Sequence, residues 1–269
     1  MNRVISKDGT AIAYTAIGQG PALILVDGAL CYRASGPNGP LAEELSPYFT
    51  VYTYDRRGRG DSDNGEEKPY AIEREVEDIA ALIEAAGGSA YLYGISSGAA
   101  LALEAAKRLP SVTKLVLYEA PFVVDDSRRP VPDHYAAAFG KLLAANRRGA
   151  AVKHFMRQGV GLPAIVVAMM PFMPAWSKLK AVAHTLPYDT LLTERFQRGK
   201  ALPADYWSSG NIPTLVIYGG KSPAWMQNGM KALAKALPDA KLIDLPGETH
   251  IVKPKPLAAA MIGFYRNEQ

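Results

Sequence analysis

Ser96 stands midway between two glycines in Tyr91-Leu92-Tyr93-Gly94-Ile95-Ser96-Ser97-Gly98-Ala99-Ala100-Leu101. The apolar residues before Gly94 suit a buried strand, and the Ala/Leu run from Ala99 to Ala106 suits a buried helix, so the chain must reverse between Gly94 and Gly98. Glycines two before and two after the serine remove the side chains that such a reversal would drive together. The turn would lift the Ser96 hydroxyl above the sheet edge and leave the backbone N–H of Ser97 free at a helix N-terminus. Those are the positions of a nucleophile and of half an oxyanion hole. The glycines are symmetric about Ser96 and not about Ser97, which makes Ser96 the candidate nucleophile.

A serine hydroxyl attacks a carbonyl at neutral pH only if a histidine takes its proton, and that histidine needs a carboxylate to fix its tautomer. Of the four histidines, His134, His154 and His184 fall in a helix-rich stretch, while His250 follows a predicted strand, Lys241–Leu245, and is the candidate base. Glu119 closes another apolar run, Lys114–Tyr118. Ligand sites in parallel sheets gather at the carboxyl ends of the strands, so Ser96 and Glu119 should share one rim. The run Ala22–Val26 ends in Asp27-Gly28-Ala29-Leu30. There the N–H of Ala29 is the candidate second oxyanion donor and Gly28 shapes the turn, although a plain connecting loop fits the local sequence nearly as well.

These residues need a scaffold, and the chain supplies one by alternating strands with helices. Gly9–Ile17 suggests a first strand or hairpin, and Ala22–Val26, Thr50–Tyr54, Tyr91–Ile95, Lys114–Tyr118, Pro213–Tyr218 and Lys241–Leu245 read as strands. Helical spacing appears at 41–47, 70–86, 99–106 and 225–237, and again toward Tyr265. This order predicts an α/β fold with a mostly parallel central sheet flanked by helices. From Phe122 to about Gly210 the pattern turns to helices without strands and reads as an insertion covering the rim. Leu30, Met156, Met169, Met173 and Trp176 are the candidate pocket residues, since methionines and aromatics line adaptable apolar sites. Asp55, in Asp55-Arg56-Arg57-Gly58-Arg59-Gly60-Asp61-Ser62, is expected to fix its loop by bonding neighbouring N–H groups or arginines.

Composition bounds the function. With 269 residues and 48% hydrophobic content the chain has ample core, and a net charge of +4 from 30 basic and 26 acidic residues argues against a nucleic-acid partner. The single cysteine, Cys31, excludes an internal disulfide and a thiolate metal cluster, which fits a cytoplasmic setting. The N-terminus lacks the pattern of a signal peptide. The uncharged run from Gly159 to Ser177 is long enough for a membrane span, but Pro163, Pro171 and Pro174 break any continuous helix. Short buried or pocket-lining helices are expected there.

Taken together, Gly94-Ile95-Ser96-Ser97-Gly98, the Asp55–Ser62 segment and the late Gly247-x-x-His250 loop resemble the α/β-hydrolase superfamily over nearly the whole chain. The resemblance implies a core of 1–121 and 211–269, a helical cap of 122–210, and a nucleophile–acid–histidine order. Many members carry the acid in a Gly-x-x-Asp turn after the penultimate strand, which here reads Gly219-Gly220-Lys221-Ser222. A serine cannot hold an imidazolium. A minority that includes haloalkane dehalogenases and zearalenone lactonases places the acid where Glu119 stands, and Leu117-Tyr118-Glu119-Ala120-Pro121 is similar to the lactonase segment; Asp125 and Asp126 are the reserves. The frequent His-Gly of the oxyanion loop reads Asp27-Gly28, as in the lactonase-like group. The resemblance therefore implies a serine hydrolase of a hydrophobic ester or lactone that needs no metal or other cofactor. Ser96, His250 and Glu119 would be its triad, and Ala29, Ser97 and Gly28 its oxyanion hole. A carbon–carbon bond hydrolase of diketone type and a small-molecule receptor on the same scaffold are the alternatives; monomer and homodimer are both compatible.

Overall fold

In the computed structural model, which describes residues 1–65, 70–207 and 211–266, the chain starts as a hairpin of β1 (Asn2–Ile5) and β2 (Ala11–Ile17) turned at Gly9. The first of these strands was not expected from sequence. It is an edge strand with only Val4 half-buried, so its residues carry little hydrophobic signal. Next come β3 (Ala22–Val26), helix α1 (Asn38–Leu45), β4 (Thr50–Tyr54), α2 (Ile72–Ala85), β5 (Ala90–Ile95), α3 (Ser97–Arg108) and β6 (Val112–Tyr118). After a helical stretch the sheet resumes with β7 (Thr214–Gly219), α9 (Ala224–Ala236), β8 (Ala240–Leu245) and α10 (Pro254–Arg266). Helix α1 starts earlier than the expected 41–47 because Pro40 is accommodated in its first turn, where no intrahelical N–H is needed.

The eight strands form one sheet in the order β1-β2-β4-β3-β5-β6-β7-β8. Only the β1–β2 and β2–β4 pairings are antiparallel. The central strands β3, β5 and β6 are nearly continuous apolar runs because both their faces are covered. Alternate residues point to opposite faces. Leu23 and Leu25 pack with Leu41, Leu45, Leu257 and Met261 of α1 and α10, whereas Ile24 and Val26 pack with Ile79, Leu82, Leu101 and Met230 of α2, α3 and α9. Each such fully buried side chain contributes roughly 1.5–3 kcal/mol relative to exposure.

Between β6 and β7 the described residues hold helices and no strand: α4 (Tyr135–Ala144), α5 (Arg148–His154) continued by a π-helical turn, α6 (Ala164–Met169), α7 (Trp176–Ala181) and α8 (Leu186–Thr193). Their side chains join two hydrophobic clusters, and α8 contributes to both. Helix α8 and the turn after it bury Leu192 and Phe196 in the same core as α3, together with Phe122 and Trp207. Helices α4 to α7 share a second cluster around Tyr135, Phe139, Val152, Val167 and Met170, which also takes in Leu186 of α8 and Leu30 of the loop after β3.

The three prolines do interrupt the uncharged run, and no helix of the described residues is long and apolar enough to cross a membrane. The expected burial of this run holds only in part. Val167 and Met170 are inside, but Ile165, Val166, Met169, Phe172 and Met173 face solvent. An apolar run of this length fixes that one face is covered and leaves the other unspecified.

Candidate active site

The reversal after β5 is made at Ser96, whose φ of 57° and ψ of −129° lie where non-glycine residues rarely go. The two glycines are there for close approach, because neither needs a positive φ. A Cβ on Gly94 would stand 2.4 Å from the Gly98 carbonyl oxygen, and one on Gly98 2.4 Å from that of Val26. The Ser96 N–H donates to the Tyr118 carbonyl at 2.9 Å, which ties the apex to the end of β6. Ser97 is buried and donates its hydroxyl to Asp189 at 2.8 Å, so that side chain is engaged elsewhere.

At the end of β6 the next residue, Glu119, also has a positive φ, 48°, and is fully buried. Its Oε1 accepts the Gly219 N–H at 2.7 Å, and its Oε2 lies 2.9 Å from His250 Nδ1. The turn where many relatives of this pattern carry an acid thus contributes a backbone donor to the acid of the neighbouring strand. The His250 loop is held close by the Tyr118 hydroxyl, which donates to the Thr249 carbonyl at 2.6 Å. It also packs on β7 so tightly that a Cβ on Gly219 would stand 2.9 Å from Thr249 Cα. His250 Nε2 makes no hydrogen bond among the described residues, and its side chain is 38% exposed. Asp125, the reserve acid, binds Asn228 and Ser127 instead, and Asp126 is exposed.

The loop after β3 closes over the apex from the other side. A Cβ on Gly28 would stand 3.0 Å from Ser96 Cβ, so a glycine lets the two loops touch. Leu30 has a φ of 62°, which makes three of the four non-glycine residues with positive φ among the described residues members of this rim. Strained backbone of this kind costs of order 1–3 kcal/mol per residue and persists where surrounding structure over-determines it. Among the described residues the N–H groups of Ala29 and Ser97 bond to no protein acceptor. Of the candidate pocket residues, Leu30 is buried in the cluster of α4 to α8, with Met156 and Trp176 packed against that cluster; Met169 and Met173 are not brought there.

Beneath the rim lies a charged cluster that sequence reasoning missed. Arg56 and Arg59 are 1% exposed and meet the Asp189 carboxylate of α8 at 2.6 Å each. Arg56 also forks onto Glu75, and Arg59 donates to the carbonyls of Gly28 (2.7 Å) and Cys31 (3.2 Å). Burial pushes the Asp189 carboxyl up, but Arg59 and Arg56 outweigh it and hold the group below its ordinary value. Asp27 has no such partner. Its buried Oδ1 has no hydrogen bond, and burial pushes its pKa up to about 7 against the pull of Arg59 and Arg56. Asp55 does fix its loop, accepting the N–H groups of Arg33 and Asp61 and the Arg33 guanidinium. Among the described residues no three His, Cys, Asp or Glu side chains are grouped to hold a metal ion.

Residues 23–260 match the model of the alpha/beta hydrolase family. The chain belongs to that family. An alpha/beta hydrolase from Sphaerobacter thermophilus has a solved structure similar to this one, with 48% identity, a TM-score of 0.89, and coverage of 98% of this chain and 100% of that one. N-formylmaleamate deformylase of Pseudomonas putida is 39% identical over 117 residues, 43% of this chain and 42% of that protein. Pimeloyl-[acyl-carrier protein] methyl ester esterase of Xylella fastidiosa is 38% identical over 103 residues, 38% of each. The matched stretch therefore spans less than half the length of either curated relative. Among the described residues the chain has the α/β-hydrolase fold, with an eight-stranded, mostly parallel sheet.

Proposed function

We propose that this α/β hydrolase cleaves a carboxylic ester or lactone through an acyl-enzyme, with Ser96 as nucleophile, His250 as base and Glu119 as the acid that orients it. The observation that carries this reading is the positive-φ apex at Ser96, tied to the end of β6 at Tyr118, together with the fully buried Glu119 that follows Tyr118 and holds His250 Nδ1. In the first step Ser96 Oγ attacks the carbonyl carbon as its proton passes to His250 Nε2. The resulting oxyanion accepts the N–H groups of Ala29 and Ser97, with Gly28 allowing the approach. His250 then gives its proton to the leaving alkoxide, the ester bond breaks, and a water deprotonated by His250 releases the acid and restores the serine.

Under this reading 1–121 and 211–269 form the catalytic core and 122–210 the cap that selects substrate. The apolar part of the substrate lies against Leu30, Met156 and Trp176, which favours hydrophobic acyl or ring substrates. The likeness to a deformylase adds an N-formyl amide as a second substrate class, since the same triad serves both. A fluorophosphonate probe tests the nucleophile: an adduct on Ser96 of the folded protein is expected, and its absence overturns the proposal. A panel of p-nitrophenyl esters, small and macrocyclic lactones and an N-formyl amide then ranks the classes. Faster hydrolysis of short polar esters than of hydrophobic ones would refute the apolar pocket.

A further inference from the structure

The outer face of the cap combines two properties that seldom occur together on a protein surface. From His134 to Tyr188 the chain has no Asp or Glu and seven Lys or Arg residues. Among the described residues none of the seven takes part in an ion pair. Arg147, Arg148 and Lys180 line an open cleft of about 600 Å³ together with Asn146 and Gly149, so cationic groups converge with no anion to meet them. In the same part of the cap, Ile165 is 71% and Phe172 79% exposed, and Val160, Val166, Met169 and Met173 are exposed as well.

The two features are physically joined. Helix α7 follows Met173 directly and packs against α5, where Trp176 comes so close that a Cβ on Gly149 would stand 3.0 Å from its ring. Exposed apolar side chains bordered by unpaired cations and free of acids are the composition of a surface that settles into the headgroup boundary of a bilayer. We propose that this face docks on an anionic lipid surface, with Ile165, Phe172 and their neighbours entering the acyl–headgroup boundary and Arg147, Arg148 and Lys180 taking lipid phosphates. A second copy of the chain is a poor occupant, because a self-complementary contact would set two segments that each carry seven cations and no acid against each other. The inner side of the same segment, Val167 and Met170, packs in the cluster that contains Leu30 and Ala29. Docking would thus bring lipid-dissolved molecules to the rim at Ser96, although the docking itself does not depend on the chemistry proposed there.

Sedimentation of the full chain with vesicles of phosphatidylcholine, and of phosphatidylcholine and phosphatidylglycerol in equal parts, tests the proposal at low and high salt. Binding to the anionic vesicles is expected to be at least about tenfold tighter than to the neutral ones and to weaken as salt rises. The Ile165→Ser/Phe172→Ser and Arg147→Gln/Arg148→Gln/Lys180→Gln variants should each lose about tenfold or more of that binding, with unchanged melting temperature and unchanged fluorophosphonate labelling of Ser96. Equal binding to both vesicles, no binding to the anionic ones, or full binding by either folded variant would overturn it. So would a dimer in sedimentation velocity that the Ile165→Ser/Phe172→Ser change dissociates, since the patch would then be covered by a second copy.

Discussion

Replacing Glu119 by glutamine changes one atom and should disable the site without unfolding it. The carboxylate accepts on both sides, from Gly219 N–H at 2.7 Å and toward His250 Nδ1 at 2.9 Å. An amide has one acceptor oxygen and one donor nitrogen. If its oxygen stays on Gly219, its NH2 faces His250 Nδ1 and is satisfied only when the imidazole proton moves to Nε2. In that tautomer Nε2 has no lone pair with which to take the Ser96 proton. If the amide turns over, two N–H groups meet at Gly219 in a fully buried position. The loss of a hydrogen bond to a charged group removes about 1.5–3 kcal/mol, or roughly 10- to 150-fold in rate. The wrong tautomer adds to this, so kcat should fall by at least about a hundredfold while KM stays within a few-fold.

The assay is steady-state hydrolysis of a hydrophobic p-nitrophenyl ester by wild type, Glu119→Gln and Glu119→Asp, with thermal melting as the folding control. Glu119→Asp keeps the charge but withdraws it by a methylene, and it should lie between the other two. A folded Glu119→Gln enzyme within about fivefold of wild type would refute the reasoning and direct attention to Asp125.

Three further outcomes follow from the same geometry. Gly28→Ala places a Cβ 3.0 Å from Ser96 Cβ and should lower ester turnover by about tenfold or more with a smaller loss of stability; unchanged turnover would show that the two loops can part at no cost. Asp189→Asn removes the shared counter-charge of two buried arginines and should cost about 3–5 kcal/mol in urea denaturation, whereas a loss under about 1 kcal/mol would mean that Glu75 and the loop carbonyls suffice. Because the folded pKa of Asp27, about 7, lies above its ordinary value of 3.8, the fold favours the protonated acid. Its contribution is fully present below about pH 4 and is lost as pH rises through about 7. Wild type measured against Asp27→Asn should therefore lose up to about 4 kcal/mol across that window, and parallel stability curves would refute the assignment.

The parts of the site that were legible in the sequence are those where a residue type answers a local demand. Gly94 and Gly98 are glycines because a carbonyl oxygen occupies the place of a Cβ, and that demand is visible as a pattern around Ser96. Glu119 and His250 were visible because strand ends in a parallel sheet share a rim. Asp189 was not, since nothing in Leu186–Thr193 distinguishes a buried carboxylate from an exposed one, and its partner Ser97 is 92 residues away. The outward turn of Ile165 and Phe172 was hidden for a related reason: a run that is apolar on all sides carries no period from which to choose the buried face.

Asp189 also explains why α8 is docked on the sheet and α3. Through Ser97 it holds the first turn of α3, and through Arg59 it holds the carbonyl of Gly28, so both candidate oxyanion donors hang from one carboxylate on α8. An oxyanion hole is effective only if its donors are fixed before charge develops. Helix α8 must then stay docked on the body whatever the substrate does, and Leu192 and Phe196 in the shared core serve that end. Helices α4 to α7 pack in the second cluster, which reaches α8 through Leu186 and the loop after β3 through Leu30. Moving α8 would strand Arg56 and Arg59 in a buried environment with half their charge unpaired.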